Sequence, residues 1–280
     1  MPTGPPGSEP AIAARLRAAG CVYAEEEARL LVGAARTPAD LDRMVDERVV
    51  GVPVEQLVGW VTFCGLRIVV DRGVFVPRRR TELLVRAAVG LACRVDAPVV
   101  VDLCCGSGAV GAVIAAALPS VELHAVDIDP VAVRCASRNL AGLGAGVYEG
   151  DLDDPLPAAL AGHVDVLVAN VPYVPTEDIG LLPPEARLHE SRRALDGGTD
   201  GLDVVRRVAA AAPRWLAPGG HVLVESGERQ AEQVAAAFSR HRLRPRVSRD
   251  DEVDATVVVG AAGRRAAGDR RRRGCSPSPG

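Results

Sequence analysis

The chain has 280 residues, 48% hydrophobic and 25% charged, which is enough for one ordinary domain and a small second one. That excludes a disulfide miniprotein, a collagen and a wholly disordered chain, and 3% aromatic residues cannot make stacked bases the main theme. All 33 basic residues are arginine, against 36 acids (net -3); the last 20 residues hold six Arg and one Asp, so residues 1–260 carry -8 and are not built to coat nucleic acid.

Taken in chain order, residues 1–10 read as a disordered lead and 11–50 as a small helical unit. Ile12, Leu16 and Ala19 share one face of a first helix, and Ala28, Leu31 and Val32 one face of a second, whose acidic first turn (Glu25–Glu27) suits the helix dipole. Thr37-Pro38-Ala39-Asp40 has the form of an N-cap followed by Pro at the first helical position. Residues 51–77 change period: β-branched and aromatic residues around Gly65 and Gly73 predict a β-hairpin linker. From residue 78 to 262 helix and strand patterns alternate, over 81–93, 98–103, 109–118, 121–127, 130–141, 145–149 and 164–169. A long loop, a helix over 202–216, a strand over 221–226 and a helix over 228–240 follow. Two terminal strands, about 243–248 and 253–260, have only a charged turn between them. This is the pattern of an α/β, doubly wound Rossmann-like parallel sheet with a terminal antiparallel hairpin. Residues 263–280 read as a disordered Arg-rich tail.

Seven scattered cysteines form no CxxC pair, so a zinc cluster is not expected and a reducing compartment is. The segment MPTGPPGSEP has neither a basic nor an apolar region of a signal peptide, and no run of about 18 apolar residues occurs. The expectation is a soluble, cytoplasmic protein without metal or membrane.

Asp102-Leu-Cys104-Cys-Gly106-Ser107-Gly108-Ala-Val-Gly111 leaves an apolar strand and enters a helix. Its glycines allow a sharp turn and let a ligand approach main-chain N–H groups. Asp127 ends the next strand, where a carboxylate can accept both hydroxyls of a ribose; the alternative is a tight turn with Asp127 as helix cap. A nicotinamide dinucleotide or S-adenosylmethionine fits such a loop. Asp102 favours the second, because a carboxylate repels a pyrophosphate but suits a cationic amino group. Glu149-Gly150-Asp151 adds an acid placed for an adenine amino group, or a solvated loop acid. After the fourth strand comes Asn170-Val171-Pro172-Tyr173, at the carboxyl end where open parallel sheets bind ligands. It is similar to the NPPY motif of methyltransferases that act on planar nitrogens.

With these motifs on the page, the chain resembles the bacterial protein-(glutamine-N5) methyltransferases that modify peptide-chain release factors, the HemK-like family. The resemblance runs over about residues 20–260. It includes Gln56–Gly59, Phe75-Val-Pro-Arg78 ending in Thr81-Glu82, DLCCGSGAVG, AVDIDPVAV, EGDLDDPL and VANVPYVP. It continues through Pro184-Glu185 to His189-Glu190, LDGGTDGLD and LAPGGHVLVESG. It implies a class I methyltransferase domain over 78–262, with S-adenosylmethionine held by Arg78, Asp102, Cys104, Gly106, Ser107, Gly108, Asp127, Asp151, Leu152 and Asn170. It also implies that Asn170, Val171, Pro172 and Tyr173 hold a glutamine amide, with Asn170, Pro172 and Tyr173 catalytic. The partner implied is a class I release factor, through its Gly-Gly-Gln loop. The helical unit, residues 11–50, is expected to dock the partner, because the methyltransferase core is complete without it. The family has Pro where this chain has Val171, which keeps the accepting carbonyl but adds an N–H donor and loosens the chain.

An amide nitrogen is a poor nucleophile because its lone pair is delocalised. Two fixed acceptors on its N–H groups polarise it and fix its plane, so no general base is assigned. His189 reads as a loop residue, and Arg78-Arg79-Arg80 as solvated or ion-paired. Alternatives are a ribosomal protein as the glutamine carrier, which the sequence does not separate from a release factor, an adenine-N6 DNA or RNA methyltransferase, and a non-catalytic S-adenosylmethionine-binding relative. The acidic body and few aromatics disfavour the adenine-N6 reading, leaving nucleic acid only to the Arg tail.

Overall fold

A computed structural model describes residues 7–263. Residues 1–6 of the expected lead, and all but Gly263 of the expected tail, lie outside the described residues.

Helix α1 (Glu9–Ala18) starts inside the stretch expected to be disordered. Pro10 lies in its first turn, where a missing N–H leaves no bond unmade. Helices α2 (Ala24–Ala34) and α3 (Pro38–Val49) follow, and Thr37 caps α3 by accepting the Asp40 N–H at 3.1 Å, as its spacing predicts. A further short helix, α4 (Val54–Val58), was not foreseen. Its Val54 is buried with Ile12, Leu16, Ala28, Leu31 and Met44, so the core of the helical unit continues past residue 50. The hairpin is tighter than expected: β1 (Trp60–Phe63) and β2 (Leu66–Val69) are joined by Cys64-Gly65 alone. Both have positive φ (48° and 79°), as a two-residue turn of this hand requires.

Then come α5 (Glu82–Ala92), β3 (Val99–Leu103), α6 (Ala109–Ala117), β4 (Glu122–Asp127), α7 (Pro130–Asn139), β5 (Gly146–Glu149) and β6 (Val164–Ala169). The long segment after β6 holds a six-residue helix, α8 (Pro184–His189), between short 3-10 turns. Helix α9 (Asp203–Trp215), β7 (Leu216–Glu225), α10 (Ala231–Arg240), β8 (Arg244–Asp250) and β9 (Ala255–Ala261) complete the described chain.

Seven strands form one sheet in the order β5-β4-β3-β6-β7-β9-β8. β3 to β7 pair in parallel; β9 pairs antiparallel with both β7 and β8, the terminal hairpin read from the charged turn. Side chains alternate across the sheet with period two. Val100, Val166, Val168 and Leu223 pack beneath α5 and α6, while Val101, Leu103, Leu167 and Val222 pack beneath α9 and α10. Both faces are therefore apolar, which is why the central strands read as nearly unbroken valine runs. The chain leaves β3 toward β4 and leaves β6 toward β7. Between the carboxyl ends of these neighbours lies the switch point where an open α/β sheet leaves a crevice.

Candidate active site

A cavity of about 1170 Å³ opens at that crevice, larger than one ordinary ligand needs. Asp102, Cys104, Gly106, Ser107, Asp127, Asp151, Leu152, Asn170, Val171, Pro172, Tyr173 and Arg78 all line it, so one space joins residues spread over nearly a hundred positions. Gly108 stands just behind, where any Cβ would press on Ala136 at 3.1 Å.

Asp102 is 1% exposed and points to the α6 side of the sheet, where Oδ2 accepts the Gly111 N–H at 3.0 Å. A Cβ on Gly111 would sit 3.2 Å from that oxygen, so the third glycine of the loop lets the helix reach the carboxylate. Oδ1 is buried with no partner among the described residues. Burial, with the nearby charge of Asp127, pushes this carboxyl up to about 7 against the Gly111 hydrogen bond. Such an oxygen is free to accept from a donor brought into the cavity.

Asp127 accepts the Gly106 N–H through Oδ2 (2.8 Å) and the Asp129 N–H through Oδ1 (2.9 Å). Each oxygen keeps a lone pair for a hydroxyl. The helix-cap role weighed for Asp127 falls to Asp129, which accepts the Val131 N–H at the start of α7. Gly106 has φ +55°, and the space where a Cβ would stand is open, so a ligand can lie against the loop backbone. Burial pushes the Cys104 and Cys105 thiols well up, with Asp127 and Asp102 adding to it, which disfavours the thiolate form of either.

Leu152 is held at φ +50° and 7% exposed on the cavity wall. Asp151 beside it pairs with Arg207 of α9 at 2.9 Å, a partner sequence reasoning missed. Arg78, expected to touch cofactor, places its guanidinium 2.5 Å from the buried Glu190 and over the Phe75 ring. Glu190 also accepts the Val76 N–H, so these two residues clasp the hairpin linker to the loop after β6.

The tetrapeptide leaves β6 with its backbone gripped from the far side. Gln230 donates to the Tyr173 carbonyl (3.0 Å), Gly197 N–H donates to the Val174 carbonyl (2.8 Å), and Val174 N–H donates to the Leu195 carbonyl (3.1 Å). Gly201, at φ +75°, passes so close to the Tyr173 carbonyl that no side chain fits, which accounts for the last glycine of LDGGTDGLD. Asn170 Nδ2 donates to Thr81 Oγ1 at 3.4 Å, and Tyr173 O–H donates to buried Glu225 at 3.1 Å. Among the described residues none donates to Asn170 Oδ1 or to the Val171 carbonyl. Thr81 and Glu225 were legible as parts of the resemblance, but nothing in their sequence context assigned them a task. No group of three or more His, Cys, Asp or Glu that could hold a metal occurs among the described residues, nor any helix long and apolar enough to cross a membrane.

This sheet order, with a glycine loop at the switch point and a carboxylate ending the following strand, defines a class I S-adenosylmethionine-dependent methyltransferase. A family model described as "Methyltransferase small domain" matches residues 66–200. The release factor glutamine methyltransferase of Geobacter sulfurreducens is 41% identical over 199 residues, covering 70% of this chain and 68% of that one. That of Streptomyces coelicolor is 37% identical over 231 residues, covering 78% and 82%. A 4-amino-L-phenylalanine/4-methylamino-L-phenylalanine methyltransferase of Streptomyces pristinaespiralis is 39% identical over 201 residues, covering 69% and 68%. The chain belongs to the release factor glutamine methyltransferase family.

Proposed function

We propose that this enzyme methylates the side-chain N5 of a glutamine in a cytoplasmic protein, a class I peptide-chain release factor. Asp102 takes the cationic amino group of S-adenosylmethionine, Asp127 its ribose hydroxyls, and the Gly106 turn and Leu152 flank the rest. The unpartnered Asp102 oxygen and the open side of Gly106 fit that ligand. When bound, S-adenosylmethionine supplies a methyl group on a positively charged sulfur.

The observation that carries the substrate reading is the pair of adjacent acceptors, Asn170 Oδ1 and the Val171 carbonyl, unengaged at the cavity wall. A primary amide has two N–H groups on one planar nitrogen, and two acceptors side by side hold both. That orients the nitrogen lone pair across the cavity and raises its electron density. Held this way, the nitrogen would face the methyl group, and the sulfur would keep the electron pair of the bond that is lost. The nitrogen would lose its proton to water, so no residue of the wall needs to act as a base. Tyr173, anchored on Glu225, forms the wall beside the amide. A cavity of this size has room for a cofactor and an inserted side chain together. The names of the Geobacter and Streptomyces coelicolor relatives support a release factor as the carrier of that glutamine.

The test is radiolabelled methyl transfer offered in parallel to purified release factors, ribosomes, duplex DNA and free 4-aminophenylalanine. Label at a release-factor glutamine is expected. Label in DNA or in the free amino acid, with none in protein, overturns the reading.

A further inference from the structure

Asn139 is the last residue of α7 and lines no part of the cavity, yet its side-chain amide ties the cofactor loop to the hairpin linker. Its Oδ1 accepts the Val69 N–H at 2.8 Å, and its Nδ2 donates to the Val69 carbonyl and to the Ser107 carbonyl, both at 2.8 Å. Val69 closes β2, so the amide pairs with the hairpin as a residue of a neighbouring strand would. Ser107 is the middle residue of Gly106-Ser107-Gly108, is 2% exposed and lines the cavity. Among the described residues no other group donates to its carbonyl. These partners also fix which end of the amide is which: reversed, its oxygen would face two carbonyls and its nitrogen an N–H. One turn back on α7, Cys135 Sγ lies 3.2 Å from the Val69 carbonyl and packs with Val70, Val74 and Val76, and Arg138 pairs with Asp71. The far end of the same linker is held by Gln56, on the Gly73 N–H and the Val74 carbonyl, and by Glu190, on the Val76 N–H.

We propose that Asn139 is a positioning residue for cofactor binding, which sets the glycine loop by reference to the hairpin linker. Glycines at 106 and 108 leave the backbone on either side of Ser107 permissive, so the loop keeps one shape only if its peptide groups are held. The Ser107 carbonyl and the Gly108 N–H belong to one planar peptide. The Cys105 carbonyl holds its N–H end at 2.7 Å, and Asn139 holds its carbonyl end. Asp127 fixes the preceding turn through the Gly106 N–H, and Gly108 rests against Ala136 of α7. A loop ordered in advance charges no ordering entropy to the ligand that enters it. The same three bonds make the setting of that loop depend on Val69, so the linker serves the cofactor side of the cavity as well as joining two domains. The inference rests on the reading that S-adenosylmethionine lies against the Gly106 turn, and uses no part of the glutamine reading.

The test is calorimetric binding of S-adenosylmethionine to the full chain at pH 8, with KM for the glutamine substrate measured beside it. Asn139→Ala is expected to raise the cofactor Kd about tenfold, the order of one buried carbonyl left without its donor. KM for the glutamine substrate is expected to stay within about twofold. Asn139→Asp keeps the shape of the side chain and an acceptor for the Val69 N–H but has no hydrogen for Ser107, so it is expected to weaken cofactor binding at least as much. Arg138→Ala cuts the neighbouring, exposed tie from α7 to Asp71 and is expected to leave Kd within about twofold. Either Asn139 variant binding cofactor within twofold of wild type overturns the proposal. So does an Arg138→Ala loss equal to that of Asn139→Ala, or a glutamine KM that rises in parallel, because a general loosening of the linker would then suffice. If Asn139→Ala does not fold, as read by circular dichroism, the isosteric Asn139→Asp decides. A wild type that binds no S-adenosylmethionine defeats the reading of the cofactor site instead, and is seen before any variant is made.

Discussion

Burial gives Asp102 a pH dependence that an exposed aspartate would lack. Its carboxyl is held near 7, and only the ionised form attracts a cationic amino group. Cofactor binding is therefore expected to weaken toward about tenfold per unit as pH falls below 7. Calorimetry at pH 6 in buffers of different ionisation enthalpy should detect proton release on binding, and none would remove Asp102 from the amino-group site. The same shift acts on stability with the opposite preference. The folded carboxyl holds its proton more tightly than the unfolded one, so its cost is absent below about pH 4 and complete above about pH 7. Asp127 is tested by Asp127→Ala, which should weaken cofactor binding by about 1.5–3 kcal/mol, the range for hydrogen bonds to a charged group; unchanged affinity would exclude it from the ribose site. Asn170→Ala removes an acceptor needed mainly in the transition state, so turnover should fall about 100-fold or more with little change in cofactor affinity. Val171→Pro should keep or raise activity. The Val171 side chain is buried in the core, but its N–H has no described partner to lose, and Pro stiffens the turn.

The element with most consequence is the segment between β6 and α9. Its α8 carries Glu185, 2.5 Å from Arg48 of α3, and Arg48 also forks onto Glu27 of α2 at 2.6 and 3.1 Å. His189 reaches the Val50 carbonyl (3.3 Å), and Gln56 donates to the Val74 and His189 carbonyls. The helical unit is thus tied to the same segment that backs the tetrapeptide. Glu185→Ala cuts one tie while leaving Arg48 on Glu27. It should raise KM for an intact release factor severalfold and leave unchanged both cofactor affinity and KM for a short peptide carrying the glutamine. Equal effects on protein and peptide would mean that α8 acts on the cavity alone.

At the scale of the whole molecule, the cofactor side of the cavity is complete without residues 1–50, whereas substrate docking is proposed to need them. A chain starting at Gly51 should bind S-adenosylmethionine within about threefold of wild type and label no intact release factor. It also strips the core partners of Val54, so its thermal midpoint should fall. Full methylation by that chain would make the helical unit structural only.

Much was legible in the sequence because it is local. The glycine loop, Asp127 at a strand end and Asn170-Val171-Pro172-Tyr173 each lie where a short-range pattern changes from strand to turn. The alternation of apolar runs was enough for the doubly wound sheet and its terminal hairpin. What only the tertiary structure decided are pairings between distant segments, since a buried charge shows its meaning only through its partners. The sequence marks Arg78 as part of a motif, and the fold puts it on Glu190, 112 positions away. It marks Asp151 as a solvated acid or an adenine contact, and the fold sets Arg207 beside it. It includes α4 in a linker, and the fold buries Val54 among helices that precede it. Glu225 ends an ordinary apolar strand, and only packing brings Tyr173 and Arg80 around it, because side chains from three separate segments converge where no spacing rule reaches.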